Sequence, residues 1–255
     1  CRPRLCFAAS VLIFACLIAT FHRGAWVGLA SGAAFTIFIV KRHFSSRYNI
    51  PAGRTISLLA AFTACVILVS AALSRHGEHS IIKRAGYGIG TDKLYCSPVN
   101  TRVYLWRATL PLIAARPAFG WGPDTMIYAF PRYAPPPSKF GYSDKLRSKP
   151  DKPENLFLQI AYEGGLASLT FFLIVIGLCI KAAWRAMRKL SGDERVLAAC
   201  ILTGCISHLA QQQFSFSTIS SGPIFWSMLG FSIALSNLAK NEEKAKEVED
   251  GEKRS

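Results

Sequence analysis

Lys152-Pro-Glu-Asn-Leu-Phe-Leu-Gln-Ile-Ala-Tyr-Glu-Gly-Gly-Leu-Ala-Ser-Leu-Thr-Phe-Phe172 joins a long basic segment to an apolar block. Pro153 suits the first turn of a helix, because its missing N–H has no partner to lose there. The exposed N–H groups of a first turn favour an anion, so we expect Glu154 within that turn. No charged residue lies between Gly164 and Ile180. The stretch therefore predicts a membrane-spanning helix with a carboxylate and an amide, Glu154 and Asn155, held at its boundary.

The apolar residues of the chain are gathered into six blocks separated by charge clusters. A membrane-spanning helix needs about 20 apolar residues, and several blocks reach that length only with uncharged flanks such as Gln211–Ser221. One short block would fit a buried helix of a soluble protein, but six predict an all-α, polytopic membrane helix bundle of about six transmembrane helices. The blocks are Leu5–Phe21, Ala25–Val40, Thr55–Leu73, Gly164–Ile180, Val196–Ala210 and Gly222–Ala239.

Lysine and arginine concentrate in alternate loops, which predicts the orientation because short cytoplasmic loops collect these residues. With a cytoplasmic N-terminus, the short outer loops hold only Arg23 in one case and no charge in the other. The predicted organisation is three transmembrane helices in 1–74, a large extracytoplasmic loop in 75–153, three transmembrane helices in 154–240 and a charged, solvated and frayed cytoplasmic tail in 241–255.

The large outer loop is itself basic, with 13 Lys/Arg against five Asp/Glu in Arg75–Pro153. The orientation rule does not require this excess in so long a loop, so it indicates an anionic ligand. A nucleic acid is excluded as that ligand by the predicted outer location. Membrane lipid is the expected partner of the cytoplasmic basic residues.

An amphipathic helix is predicted within the outer loop, over Thr101–Arg116, with N-caps at Asn100 and Thr101. Pro111 should kink or shorten it. The prolines of Phe130–Pro137 predict a stiff, extended cover after it. The apolar face is expected to consist of Val103, Trp106, Leu110 and Ile113, with Arg102 and Arg107 beside it.

The cysteines do not predict a disulfide scaffold or a zinc site. Six of the eight lie inside apolar blocks, where cysteine behaves as a small hydrophobic residue, and the outer loop holds only Cys96. The chain opens on Cys1 rather than methionine, directly before an apolar block. We therefore expect it to be the C-terminal part of a longer protein.

Four stretches carry a resemblance to a known family. They are His22-Arg-Gly-Ala25, Arg102-x3-Trp106 followed by Ala114-x2-Pro-x2-Gly-Trp-Gly-Pro123, Glu154-Asn-x2-Leu-x4-Glu-x-Gly165, and Phe214–Leu235. In this order, around one large outer loop, they resemble the C-terminal half of the O-antigen ligase/polymerase family of bacterial membrane glycosyltransferases. At the position of Glu154 the family usually has histidine, the proposed general base.

The resemblance implies transfer of a glycan from an undecaprenyl-diphosphate carrier to a sugar or lipid-linked acceptor, at the outer face of the bacterial inner membrane. Glu154 would deprotonate the acceptor hydroxyl, and Asn155 would orient that hydroxyl. No metal or other cofactor is implied, because guanidinium groups can neutralise the diphosphate leaving group. The implied substrate-binding residues are Arg23, Arg102, Arg107 and Trp106.

Two other classes of function stay open on the sequence alone. A transporter or flippase for a charged lipid could line its path with the same arginines, although the single asymmetric loop disfavours it because transporters usually repeat broken helices in matched halves. A non-catalytic envelope assembly factor is the second, and the glutamate in place of the family's histidine favours it.

Overall fold

The computed structural model describes residues 12–13, 16–17, 23–44, 98–141, 149–215 and 221–252. Every regular element in these ranges is helical, as the all-α prediction requires. The helices are α1 (Arg23–Ile39, continued by a π-helical turn Val40–Phe44), α2 (Pro98–Ala115), α3 (Met126–Tyr133), α4 (Leu156–Lys189), α5 (Gly192–Gln211) and α6 (Gly222–Glu252), with 3-10 turns at Pro137–Phe140 and Gln212–Phe214.

Four of these helices form a bundle in which α5 packs against α1, α4 and α6. Gly24–Phe44, α4 and α6 are long and apolar enough to cross a membrane. They correspond to the second, fourth and sixth predicted blocks. The fifth block is α5, whose 20 residues rise about 30 Å, the thickness of a bilayer core. The third block lies outside the described residues and the first lies largely outside them, so the number of six spans stays a prediction.

In the bundle, α5 runs antiparallel to α1, α4 and α6, which gives the bundle two distinct ends. Ser207 Oγ donates to the carbonyl of Gly28 (2.7 Å), and Arg195 Nη2 donates to the carbonyl of His43 (2.7 Å), so α1 and α5 are antiparallel. We call the end where α1, α4 and α6 begin and α5 finishes the site end. The opposite end, where α4 finishes and α5 begins, is the far end.

A second core lies beside the bundle and joins α2, α3 and the first turns of α4. Its buried residues are Tyr104, Leu105, Ala108, Leu112, Ile113, Met126, Ala129, Phe130, Ala161 and Tyr162. The predicted apolar face of α2 is partly wrong, because Leu110 is 55% exposed while Tyr104 is 1% exposed. Apolar residues lie on both sides of this helix, and contact with α3 and α4 selects the Tyr104 side.

Two predicted breaks in the outer loop are replaced by helix. α2 begins at Pro98 and runs through Pro111, so Asn100 and Thr101 lie inside it rather than capping it. Pro111 deprives only the carbonyl of Arg107 of its helical partner, and that residue is exposed, so water can reach it. The predicted extended cover at Phe130–Pro137 is also wrong at its start, because Phe130 is buried in the second core as part of α3.

The charged tail is more ordered than we predicted. α6 continues without a break from the apolar block to Glu252, and its residues from Lys240 to Glu252 are exposed except Glu242, which is half-buried. The tail is therefore solvated, as expected, but helical rather than frayed through Glu252.

Candidate functional site

α4 begins at an asparagine cap. Asn155 has an extended backbone, and its Oδ1 accepts hydrogen bonds from the backbone N–H groups of Phe157 (3.0 Å) and Leu158 (3.1 Å). The helix therefore starts at Leu156, and Glu154 precedes the cap instead of lying in the first turn. Glu154 takes a left-handed backbone conformation, with φ of 54°, which turns the chain into the helix.

The other end of the same amide joins α4 to the end of α5. Nδ2 of Asn155 donates to the backbone carbonyl of Gln213 (3.0 Å) and approaches its Oε1 (3.3 Å). Asn155 is buried, and both ends of its amide are engaged. Its geometry is that of a residue that holds the site together. Sequence reasoning did not select Gln213 as a site residue, although the amide run Gln211–Gln213 at the end of an apolar block was a signal for it.

Arg102 and Glu154, which are far apart in the chain, meet at the site end. Arg102 Nη2 lies 3.7 Å from Glu154 Oε2, and the side chains are 27% and 33% exposed. This separation is longer than a hydrogen bond, so among the residues that the structure describes the guanidinium keeps N–H groups available for another anion. The structure thus brings together two of the residues predicted from the sequence.

Trp106 lies one turn after Arg102 on the same face of α2, and its ring centroid is 5.9 Å from that of Phe214 in the 3-10 turn. Arg107 is exposed and lies about 140° around the helix from Arg102, so the structure does not bring it to this group. Arg23 is the first residue of α1, which begins at the site end, but its side chain lies outside the described part of the chain.

Buried polar atoms without a hydrogen-bond partner collect at the site end. Within the described ranges there are six such side-chain atoms, and five of them belong to residues at this end. Each unpaired buried group costs about 1–3 kcal/mol, so a cluster of them indicates a ligand that would pair with them. The five are Trp26 Nε1, Arg102 Nε, Trp106 Nε1, Gln159 Oε1 and Gln212 Oε1.

The turn after α2 docks onto α4 through backbone hydrogen bonds. α4 is interrupted at Gly165, whose φ of 74° and ψ of −178° are not helical. Around this break the N–H of Leu166 donates to the carbonyl of Pro117 (2.7 Å), and the N–H of Trp121 donates to that of Tyr162 (2.8 Å). The sharp turn predicted after α2 is therefore present, and it is anchored at the interruption of α4.

Trp121 locks the docked turn in place. Its Nε1 donates to the carbonyl of Leu112 (2.7 Å), and the guanidinium of Arg116 lies 4.2 Å from the centroid of its ring. The ring also stacks on Tyr162 at 6.3 Å, with 5° between the planes. α2 is thus tied to α4 at its C-terminal end, which fixes where its N-terminal half presents Arg102.

Comparison with known proteins gives one match. A family model described as O-Antigen ligase matches residues 8–173, well over half of the chain. No curated protein and no solved structure matches the chain. The matched range includes the first turns of α4 and all of α2, and it ends before the 3-10 turn that holds Asn155.

Proposed function

Because this chain belongs to the O-antigen ligase family, we propose that it transfers a glycan from an undecaprenyl-diphosphate carrier to a sugar or lipid-linked acceptor, at the outer face of the bacterial inner membrane. Family membership and three helices capable of spanning a membrane make it an integral membrane protein of the ligase and transferase type. The donor, the acceptor, the membrane face and the roles of individual residues are what we propose beyond membership of the family.

The observation that carries the proposal is the set of unpaired donors at the site end. Trp26 Nε1, Arg102 Nε and Trp106 Nε1 are buried N–H groups without a partner in the described ranges. Phosphate oxygens accept such hydrogen bonds, and a guanidinium adds charge to them. The amide oxygens of Gln159 and Gln212, also unpaired, suit the hydroxyl groups of a sugar. The group therefore fits a glycosyl diphosphate.

In the proposed reaction the acceptor hydroxyl attacks the anomeric carbon of the donor glycan. The bond from that carbon to the phosphate oxygen breaks, and undecaprenyl diphosphate leaves with the electron pair. Glu154 takes the proton of the hydroxyl. Arg102 stabilises the charge that develops on the leaving diphosphate, while Asn155 holds the start of α4 against Gln213 and so positions Glu154. Arg23, at the start of α1, remains a proposed diphosphate ligand, whereas Arg107 lies on another side of α2 and is not part of the proposed site.

Charge at the far end supports placing the site end outside. α1, α4 and α5 bring basic residues together there, and short cytoplasmic segments collect such residues. The site end would then face the outer side, where the proposed donor presents its diphosphate at the membrane surface. The basic residues are Lys41, Arg42, Arg185, Arg188, Lys189 and Arg195.

Arg102→Gln tests the proposal. Loss of a charge-assisted hydrogen bond should raise the KM for a lipid-diphosphate glycan donor on the order of 10- to 100-fold, because about 1.5–3 kcal/mol of binding is removed. The measurement is glycan transfer by the purified full chain in detergent or nanodiscs. Arg132→Gln is the matched control, since Arg132 is exposed on α3, and it should leave the KM within about fivefold, as an exposed charge contributes roughly 0–1 kcal/mol. An equal KM in both variants would refute the role of Arg102, and no transfer by the wild type would refute the proposed activity.

A further inference from the structure

At the far end, Arg195 connects α5 to the end of α1. Its Nη2 donates to the carbonyl of His43, and its guanidinium lies 4.6 Å from the centroid of the Phe44 ring. The ring of His43 packs edge-on against Trp184 of α4, with centroids 5.3 Å apart. Three helices thus build one surface at this end.

That surface is strongly positive and holds an unsatisfied donor. Arg42 directly precedes His43 in the π-helical turn, Arg188 lies one turn after Trp184 on α4, and both arginines are exposed. Asp193 and Glu194 lie in the first turn of α5, but within the described ranges no ion pair links either to these arginines. Nε of Arg195 is the sixth buried polar atom without a partner in those ranges. An anion between the arginines would supply the missing acceptor.

An apolar groove begins next to this surface. It lies between α1 and α5, has a volume of about 750 Å³ and is lined from Leu29 to Phe44 on one side and from Val196 to Ser207 on the other. The lined part of α1 and its π turn rises roughly 22 Å, which exceeds the roughly 15 Å of one leaflet. Val196, which lines the groove, follows Arg195 directly in the chain, so one end of the groove lies next to the guanidinium groups.

We propose that the far end binds one anionic phospholipid, with its phosphate between Arg42, Arg188 and Arg195 and an acyl chain in the groove between α1 and α5. Net charge selects the occupant, because a zwitterionic lipid also carries a phosphate but would place its cationic head group among the guanidinium groups, whereas an anionic phospholipid would not. Basic pockets between membrane helices bind anionic head groups in the same manner. This site lies at the opposite end of the bundle from the proposed transfer site, so either can fail without the other.

The test measures how much lipid the full chain retains. The protein is released from nanodiscs of phosphatidylglycerol or phosphatidylcholine, and native mass spectrometry gives the fraction that still carries a bound lipid. The wild type should retain phosphatidylglycerol several-fold over phosphatidylcholine. Arg42→Gln and Arg188→Gln should each lower retention about fivefold, and the double variant about 25-fold. Arg185→Gln is the control, at an exposed arginine one turn before Arg188 that is not among the three proposed phosphate ligands, and it should retain the lipid as the wild type does.

Two further experiments distinguish a bound lipid from the other possible occupants, a protein segment in the groove and free phosphate at the arginines. Ala33→Phe, at an exposed groove residue, should reduce retention while the protein keeps its thermal midpoint. A lowered midpoint with unchanged retention would mean that protein fills the groove and would overturn the proposal. Displacement of phosphatidylglycerol by excess inorganic phosphate would show that free phosphate is the ligand and would overturn the proposal. Equal losses of lipid retention in Arg185→Gln and Arg188→Gln would overturn it as well.

Discussion

Replacing Glu154 by glutamine should lower kcat for glycan transfer by about 10²- to 10⁴-fold, the usual contribution of a general base. Glutamine keeps the size of the side chain but cannot take the acceptor proton. Donor binding should persist, because the change frees Arg102 from its only ion-pair partner in the described part of the chain. The KM for the donor should therefore stay the same or fall. Initial rates over a range of donor concentrations give both constants.

Two companion variants separate chemistry from backbone geometry at this position. Glu154→Gly suits the left-handed backbone, with its φ of 54°, so it should fold at least as well as the wild type while losing turnover. Glu154→His should retain transfer, since histidine tolerates this conformation and is a good general base near neutral pH. Wild-type kcat in Glu154→Gln would remove Glu154 from the mechanism.

Replacing Gly165 by alanine should undock the turn after α2. A Cβ on Gly165 would overlap the carbonyl oxygen of Ala118, and its φ of 74° is strained for any other residue. Strain and overpacking together cost about 2–6 kcal/mol. The thermal midpoint in detergent should fall, and chymotrypsin should cleave faster within the turn, after Phe119. Transfer should fall as well, because the tie that orients α2 and Arg102 is lost.

Gly177→Ala is the matched control for this change. It lies on the same helix, has an ordinary helical backbone and would meet no heavy atom within 4 Å. It should leave the midpoint unchanged or raise it slightly, since alanine is the better helix former. Equal midpoints and equal cleavage rates for Gly165→Ala and Gly177→Ala would show that the docked turn contributes little to the fold.

Block length and charge were enough to predict the helical class and the main bundle helices, because membrane helices depend mainly on apolar length. α5 was found for the same reason, although it packs against three other helices. The face of α2 was predicted less well, since apolar residues surround that helix and only its partners decide which side is buried. The helix at Met126–Tyr133 was missed because Pro131 and the prolines that follow the helix indicated an extended chain, whereas burial of Met126, Ala129 and Phe130 stabilises the helix.

At the site, motifs predicted which residues come from the start of α4 and from α2, and the structure brings Arg102, Trp106, Glu154 and Asn155 to one end of the bundle. Their contacts could not be predicted. The bond from Asn155 to Gln213 and the contact of Trp106 with Phe214 depend on where α5 finishes. The left-handed backbone of Glu154, directly before the Asn155 cap, likewise has no signal in the sequence. Such pairings are set by tertiary packing and have no local pattern in the chain.

The central claim is that a lipid-linked diphosphate binds where α2, the start of α4 and the 3-10 turn at Gln212–Phe214 meet. It is tested most directly by photo-crosslinking the full chain in nanodiscs with an undecaprenyl-diphosphate analogue that carries a photoreactive group beside the diphosphate, followed by peptide mapping. We predict crosslinks within 102–106 and 154–159, competed by unlabelled donor and reduced in Arg102→Gln. Competed crosslinks confined to the far end of the bundle, with none in these two segments, would contradict the claim.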